Sequence, residues 1–196
     1  MTHKLLCPSY KGYLLIVKAL LRATGRDGTA VDLNVADKDG CTALICAARN
    51  CQVEVVTALL GAKGKGGVPC DLNMADNNGD TALIWAAVKG NIKIVTALLG
   101  ATGKGGVAVD LNLASKKAGK KGFTALILAS YIGHTDIVAA LLNAKEQNDR
   151  IATAVDVSMK DDAGHTAHYY ATTKHAAKFN PEIVARLLTY GKRVSV

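Results

Sequence analysis

The apolar positions of this chain fall at helical rather than alternating spacing. In Ala82 to Lys89, Leu83, Ala86 and Ala87 lie on one side of a helix. After Gly90, residues Ile92, Val95, Leu98 and Leu99 line the inner face of a second helix. Thr81 stands where a helix N-cap belongs, Asn91 caps the second helix, and Gly90 ends the first by supplying a positive φ. Before them, Asp76-Asn77-Asn78-Gly79 is a turn cluster. The pattern predicts two short helices behind a turn. Helices this short are marginal in isolation, so they must be stabilised by neighbours.

The neighbours are copies of the same unit. Val56 to Gly61 recurs as Val95 to Gly100, an offset of 39. Asp32-Leu33-Asn34 recurs at Asp71-Leu72-Asn73 and Asp110-Leu111-Asn112, and weakly at Asp156-Val157-Ser158. The capping threonines are Thr42, Thr81, Thr124 and Thr166, giving steps of 39, 43 and 42. Lys11 to Asn34 aligns without gaps on Lys89 to Asn112, so the N-terminal segment is the back half of a further unit. The expected units are 1–31 (partial), 32–70, 71–109, 110–155 and 156–196, the last an atypical cap. Stacking them buries a continuous seam of Leu, Ile, Val and Ala, and stability is shared between units.

The unit reads D-x-x-G-x-T-A-L-x-x-A-A-x-x-G-x-x-x-I-V-x-x-L-L followed by D-L-N, and this resembles the ankyrin repeat. The family's T-P-L-H-x-A appears here as Thr81-Ala82-Leu83-Ile84-Trp85-Ala86, with Ala for Pro and Ile for His. The resemblance implies an all-α solenoid of stacked helix-turn-helix units with β-hairpin-like finger turns. It also implies a non-catalytic scaffold that needs no cofactor and binds a partner protein through a concave face and its finger tips. On that face fall Cys46, Trp85, Leu128 and Tyr170, with Arg49, Asn50, Val88, Lys89 and Tyr131 beside them. The tips supply Lys38, Asp39, Asn77, Asn78, Lys116, Lys117, Lys120 and Lys121. Trp85, the only Trp, is expected to be partly exposed between Cys46 and Leu128, as a binding hot spot whose removal leaves stability untouched. The resemblance further implies a monomer at work in the cytoplasm, and it admits an effector delivered into a host cell, since intracellular bacteria also use such arrays. Two other readings stay open: a basic adaptor for nucleic acid or anionic lipid, and the interaction domain of a larger enzyme.

The departures from the repeat lie in its connections. The first three junctions carry Gly-Lys or Gly-Arg insertions, Thr24 to Gly28, Lys63 to Gly67 and Thr102 to Gly106, which are expected to be flexible surface loops. After Asn143 the fourth junction is Gly-free, and Ala144 to Gln147 is expected to extend its helix. The fourth finger is lengthened to Ser115–Gly122, and a mobile, solvated tip is the plain expectation. In the last unit His168 and Thr172 replace apolar residues, and Asn180-Pro181-Glu182 restarts a helix. Pro8 is expected to make the first helix irregular.

Composition narrows the chemistry. With 49% hydrophobic residues among 196 the chain can bury a core, and only 5% are aromatic. Its formal net charge of +8 suits an acidic partner surface. The most apolar stretch, Tyr13 to Leu21, is interrupted by Lys18 and is too short for a membrane span. Five cysteines without framework spacing point to free thiols. Gly100 to Gly106 is no phosphate loop, because Gly follows the Lys and a helix precedes it. Cys41, Cys46 and Cys51 suggest no metal site, since Cys46 and Cys51 diverge around the helix axis by about 140°. His165, His168 and His175 form a second candidate metal cluster, and a structural role is the simpler expectation. Arg26, Lys63, Lys65 and Lys104 are expected to align as a basic ladder along one edge.

Overall fold

A computed structural model describes residues 31–64, 68–144, 154–173 and 180–194, together with Val17, Ala19 and Leu21. Eight α-helices occur among them. They are α1 (Ala43–Arg49), α2 (Val53–Leu60), α3 (Ala82–Val88), α4 (Ile92–Gly100), α5 (Ala125–Ile132), α6 (Thr135–Leu142), α7 (Ala167–Thr172) and α8 (Pro181–Val194). The odd-numbered helices pack in one row, α1 on α3 on α5 on α7, and the even-numbered helices pack in a second row behind them. No strand forms among the described residues. The fingers carry only the isolated antiparallel bridges Ala75–Thr81 and Ala114–Thr124.

Each first helix starts the same way. Thr42, Thr81, Thr124 and Thr166 accept hydrogen bonds from the amides of Ile45, Ile84, Ile127 and Tyr169. Asn91 caps α4 through Ile94 N, and Asn180 caps α8 through the amides of Glu182 and Ile183. The core is continuous through the stack, with Leu44, Leu83, Leu126, Leu59 and Leu98 all fully buried. The expected face of α4 needs one correction. Ile94 is fully buried, whereas Ile92, at the first turn of the helix, is only half-buried. Gly90 and Gly133 close their helices at φ 68° and 95°, and Cys51 takes the same left-handed conformation at φ 58° without being glycine.

Side-chain amides clamp one unit to the next. Asn34 accepts from Asp71 N at 2.6 Å and donates to Pro69 O at 3.1 Å. Asn73 holds Asp110 N and Ala108 O in the same way, and Asn112 holds Asp156 N and Ala154 O. Each amide thus satisfies the two backbone groups flanking one residue of the next junction, as a neighbouring strand would. The preceding aspartates shape the same turns, Asp32, Asp71 and Asp110 each accepting from the amide two residues on. At the fourth position Ser158 turns back onto Asp156 instead.

The glycine loops are pinned where they are described. A Cβ on Gly64 would come within 2.8 Å of Leu33 and 2.7 Å of Val31 O. One on Gly103 would meet Leu72 at 2.7 Å and Cys70 O at 2.8 Å. Both glycines are buried against the junction that opens their own unit, and Lys104–Gly106 forms a 3₁₀ turn, so the expectation of free loops is corrected at these positions. The conformation around Pro8, the Thr24–Gly28 loop with Arg26, Lys65, the helix extension beyond Ala144 and His175 lie outside the described residues.

Two substitutions test this architecture. Leu98→Ala opens a cavity in the centre of the stack and should destabilise it by about 2–5 kcal/mol in a urea titration. Asn73→Ala leaves two junction groups unpaired. It should cost about 1–3 kcal/mol while far-ultraviolet circular dichroism stays unchanged.

Candidate functional site

The residues expected on the binding face sit on the first-helix row, at the fourth position after each helix cap. A helical side chain leans toward the N-terminus of its helix, so residues here fold back over their own finger turn. That geometry buries Cys46, Leu128 and Tyr170, which corrects their expected exposure. Trp85 is half-buried, as expected, but it is engaged within the molecule. Its Nε1 donates to Asp76 Oδ2 at 3.2 Å, and the Arg49 guanidinium lies 5.8 Å from its ring centre. Removing Trp85 would strip a donor from a buried carboxylate, so the expectation that stability is indifferent to it does not hold.

The same device recurs. Asp76 Oδ1 accepts from the amides of Asn78 and Asp80, and Asp161 Oδ1 from those of Ala163 and His165. The second oxygen of each carboxylate takes the side chain folded back from the helix, Trp85 in one case and the Tyr170 hydroxyl in the other. In the lengthened finger Ser115 replaces the aspartate, and the residue above is Leu128, which has nothing to donate. In the first of the four described fingers Asp37 Oδ1 accepts from Asp39 N and Cys41 N, and the residue above is Cys46. One Asp37 carboxylate oxygen and the Cys41 and Cys46 sulfurs lie within 4.8 Å of one another. Sequence spacing gave no metal site among Cys41, Cys46 and Cys51, because Cys46 and Cys51 diverge around the helix axis. Cys51 is exposed after the end of α1, and the actual third member of the cluster is Asp37.

The exposed part of the expected surface is the finger tips and the outer turn of the first helices. Lys38, Asp39, Asn77 and Asn78 are exposed, as are Asn50 and Lys89. Arg49 and Val88 are half-buried, and Tyr131 is 36% exposed. Lys116, Lys117, Lys120 and Lys121 are all exposed, as a solvated tip requires, and the backbone beneath them is hydrogen-bonded to both neighbouring fingers. Lys116 N donates to Asn78 O at 2.6 Å, and Asp162 N donates to Lys121 O at 3.1 Å, so the finger is held by both neighbours. Within it, Ser115 pairs with Phe123 and Gly122, and Lys120 N donates to Lys117 O. A side chain at Gly122 would strike Asp161 Cα at 2.7 Å.

An aromatic cluster that sequence reasoning did not find joins the last two units. Phe123, Tyr131 and Tyr170 have ring centres 5.3–6.3 Å apart. The available signal was that Phe123 stands just before a capping Thr while Tyr170 occupies the folded-back position of the next unit. His165 stacks on Tyr169 at 3.7 Å and lies 3.9 Å from Asp161, which gives it the structural role expected. His168 is half-buried.

Burial and hydrogen bonding set the titration of this region. Burial would raise the Asp161 carboxyl, but hydrogen bonds from Tyr170, His165 and Ala163 overcome it and hold the group below its usual range. Asp80 moves the other way. Burial pushes its carboxyl up, and the hydrogen bond with Ser115 and the nearby Lys117 and Lys120 offset this only in part. Burial also raises the Cys41 thiol, and pushes Cys70, packed beneath Leu59 O, up to about 12. Of the expected basic ladder, Lys63 is exposed; Arg26 and Lys65 lie outside the described residues, as does the side chain of Lys104.

A family model for ankyrin repeats (three copies) matches residues 5–112 and again 101–196. The crystal structure of EF0377, an ankyrin repeat protein, superposes with a TM-score of 0.70 at 24% identity, covering 97% of this chain and 82% of that one. No curated protein sequence matches the chain.

The raised Asp80 carboxyl carries a sign. The folded state binds its proton more readily than the unfolded chain, so ionised Asp80 lowers stability above the ordinary carboxylate range. Asp80→Asn should therefore raise the melting temperature at pH 7, and the gain should shrink as the pH falls through the ordinary carboxylate range and vanish below it, where the folded and unfolded states are both protonated. Thermal melts at pH 7 and below that range check both halves.

Proposed function

The chain belongs to the ankyrin-repeat family, and from that premise we propose that it holds a partner protein with an acidic surface, without catalysing a reaction. Ankyrin repeats are generally protein–protein interaction modules, and the fold is typically a non-catalytic scaffold. The observation that carries the acidic partner is the fourth finger. Its four lysines are solvent-exposed on a backbone hydrogen-bonded to the fingers on either side. A net charge of +8 gives the whole molecule the same sign. Tyr131 and Lys89 on the first helices, with Lys38 and Asn77 on the neighbouring tips, continue the surface away from the lysines. Four free cysteines among the described residues favour work in a reducing compartment, and no described helix is long and apolar enough to cross a membrane.

Charge on the rim of an interface acts mainly on the rate of encounter, over a screening length of about 8 Å at physiological salt. A Lys116→Ala, Lys117→Ala, Lys120→Ala, Lys121→Ala variant should keep its fold and lose only the small stability that Lys117 and Lys120 lend to ionised Asp80, because these exposed side chains do not pack in the core. Parallel affinity purification with the two proteins identifies the partner, whose association rate is then measured across salt concentrations. The variant should associate on the order of tenfold more slowly at low salt, with a flatter salt dependence. Equal rates at low salt would remove the finger from the interface.

A further inference from the structure

We propose that Asp37, Cys41 and Cys46 form a binding site for one thiophilic divalent cation of the zinc class. The three candidate ligand atoms already lie within 4.8 Å of one another, with both cysteines buried and Asp37 half-buried. Tetrahedral bonds of ordinary zinc length place two sulfurs about 3.8 Å apart and a sulfur and an oxygen about 3.5 Å apart. The cluster therefore needs to contract by no more than about 1.3 Å to hold a metal.

The internal repeats show what is different here. Asp76 and Asp161 spend their second oxygen on the indole N–H of Trp85 and on the Tyr170 hydroxyl, groups that donate strongly and offer no thiolate. Asp37 has the same backbone hydrogen bonds, at 2.9 Å from both Asp39 and Cys41, so its carboxylate is equally fixed. Facing it are two thiols, each a weak donor as a thiol and a strong ligand as a thiolate. Two thiolates and one carboxylate around a divalent ion leave a net charge of −1. Arg49, whose Nη1 lies 3.6 Å from Cys41 Sγ, brings the group to neutrality. Binding converts two S–H groups to metal–thiolate bonds and releases two protons to solvent, with no redox change. Water supplies the fourth ligand from the side of half-buried Asp37.

Cadmium serves as the probe, because its bond to thiolate gives an ultraviolet charge-transfer band. Titration of the reduced full-length protein should develop that band to an end point of one Cd²⁺ per chain. Zn²⁺ should displace it and raise the melting temperature. Cys41→Ser and Cys46→Ser should each abolish the stoichiometric end point, and Asp37→Asn, which keeps the hydrogen-bonding oxygen, should weaken binding on the order of tenfold or more. Cys51→Ser should bind as the wild type does. Circular dichroism establishes that each variant is folded, and Asp37→Asn, on the half-buried residue, stands in if a buried cysteine variant is not. No band at stoichiometric Cd²⁺, a band that survives in folded Cys41→Ser or Cys46→Ser, unweakened binding in Asp37→Asn, or a band lost in Cys51→Ser would overturn the assignment.

Discussion

The first helices of this protein are six to eight residues long, and each needs a neighbour to complete it. The neighbour supplies apolar contact through Leu44, Leu83 and Leu126, but it also supplies hydrogen bonds that no unit can make alone. Asn34, Asn73 and Asn112 reach into the next junction and pair its backbone on both sides of one residue. The fingers repeat the arrangement at the other end of the unit through Asn77, Lys116 and Asp162 amides. A cut between units therefore exposes apolar surface and orphans polar groups together. That coupling makes the stack cooperative.

Inside each unit the finger and its helix are matched to one another. An aspartate stands under Trp85 and under Tyr170, and a serine stands under Leu128. A buried carboxylate is costly unless each oxygen finds a donor. A leucine at the folded-back position removes the donor, and the acid is absent with it. Asp37 beneath Cys46 is the intermediate case, an acid kept opposite a poor donor, which is why this unit invites a cation where the others do not.

The fold was legible because its signals are local and repeated. Capping threonines, turn clusters and helical spacing each recur at nearly fixed intervals, and the Asp-Leu-Asn triplets marked the junctions before their hydrogen bonds were visible. The candidate site was legible only in part. Counting residues along α3 anticipates the half-burial of Trp85 but misses the backward lean of side chains at this position, so Cys46, Leu128 and Tyr170 were expected on the surface and are buried. The Asp37–Cys41–Cys46 cluster escaped because it joins a turn to a helix, across a distance that helical-wheel geometry does not describe. The order of the glycine loops escaped for a different reason. Composition reports the freedom of Gly64 and Gly103, while their contacts with Leu33 and Leu72 show that the residue type is there for close approach.

The fixed fourth finger also bears on how a partner would be held. A loop that must order on binding loses conformational freedom at that moment, and this cost is subtracted from affinity. The Ser115–Gly122 segment meets part of that cost during folding, since the Lys116 amide and the Lys121 carbonyl are already bonded to the fingers on either side. Its lysine side chains are exposed, which suits contacts that stay solvated and act at a distance rather than through fixed ion pairs. Steering by mobile charges on a rigid support raises the encounter rate without fixing which acidic group each lysine meets. On the proposed reading, discrimination between partners would rest with Tyr131 on α5 and the exposed turn around Asn77, whose backbone positions are set by the stack itself.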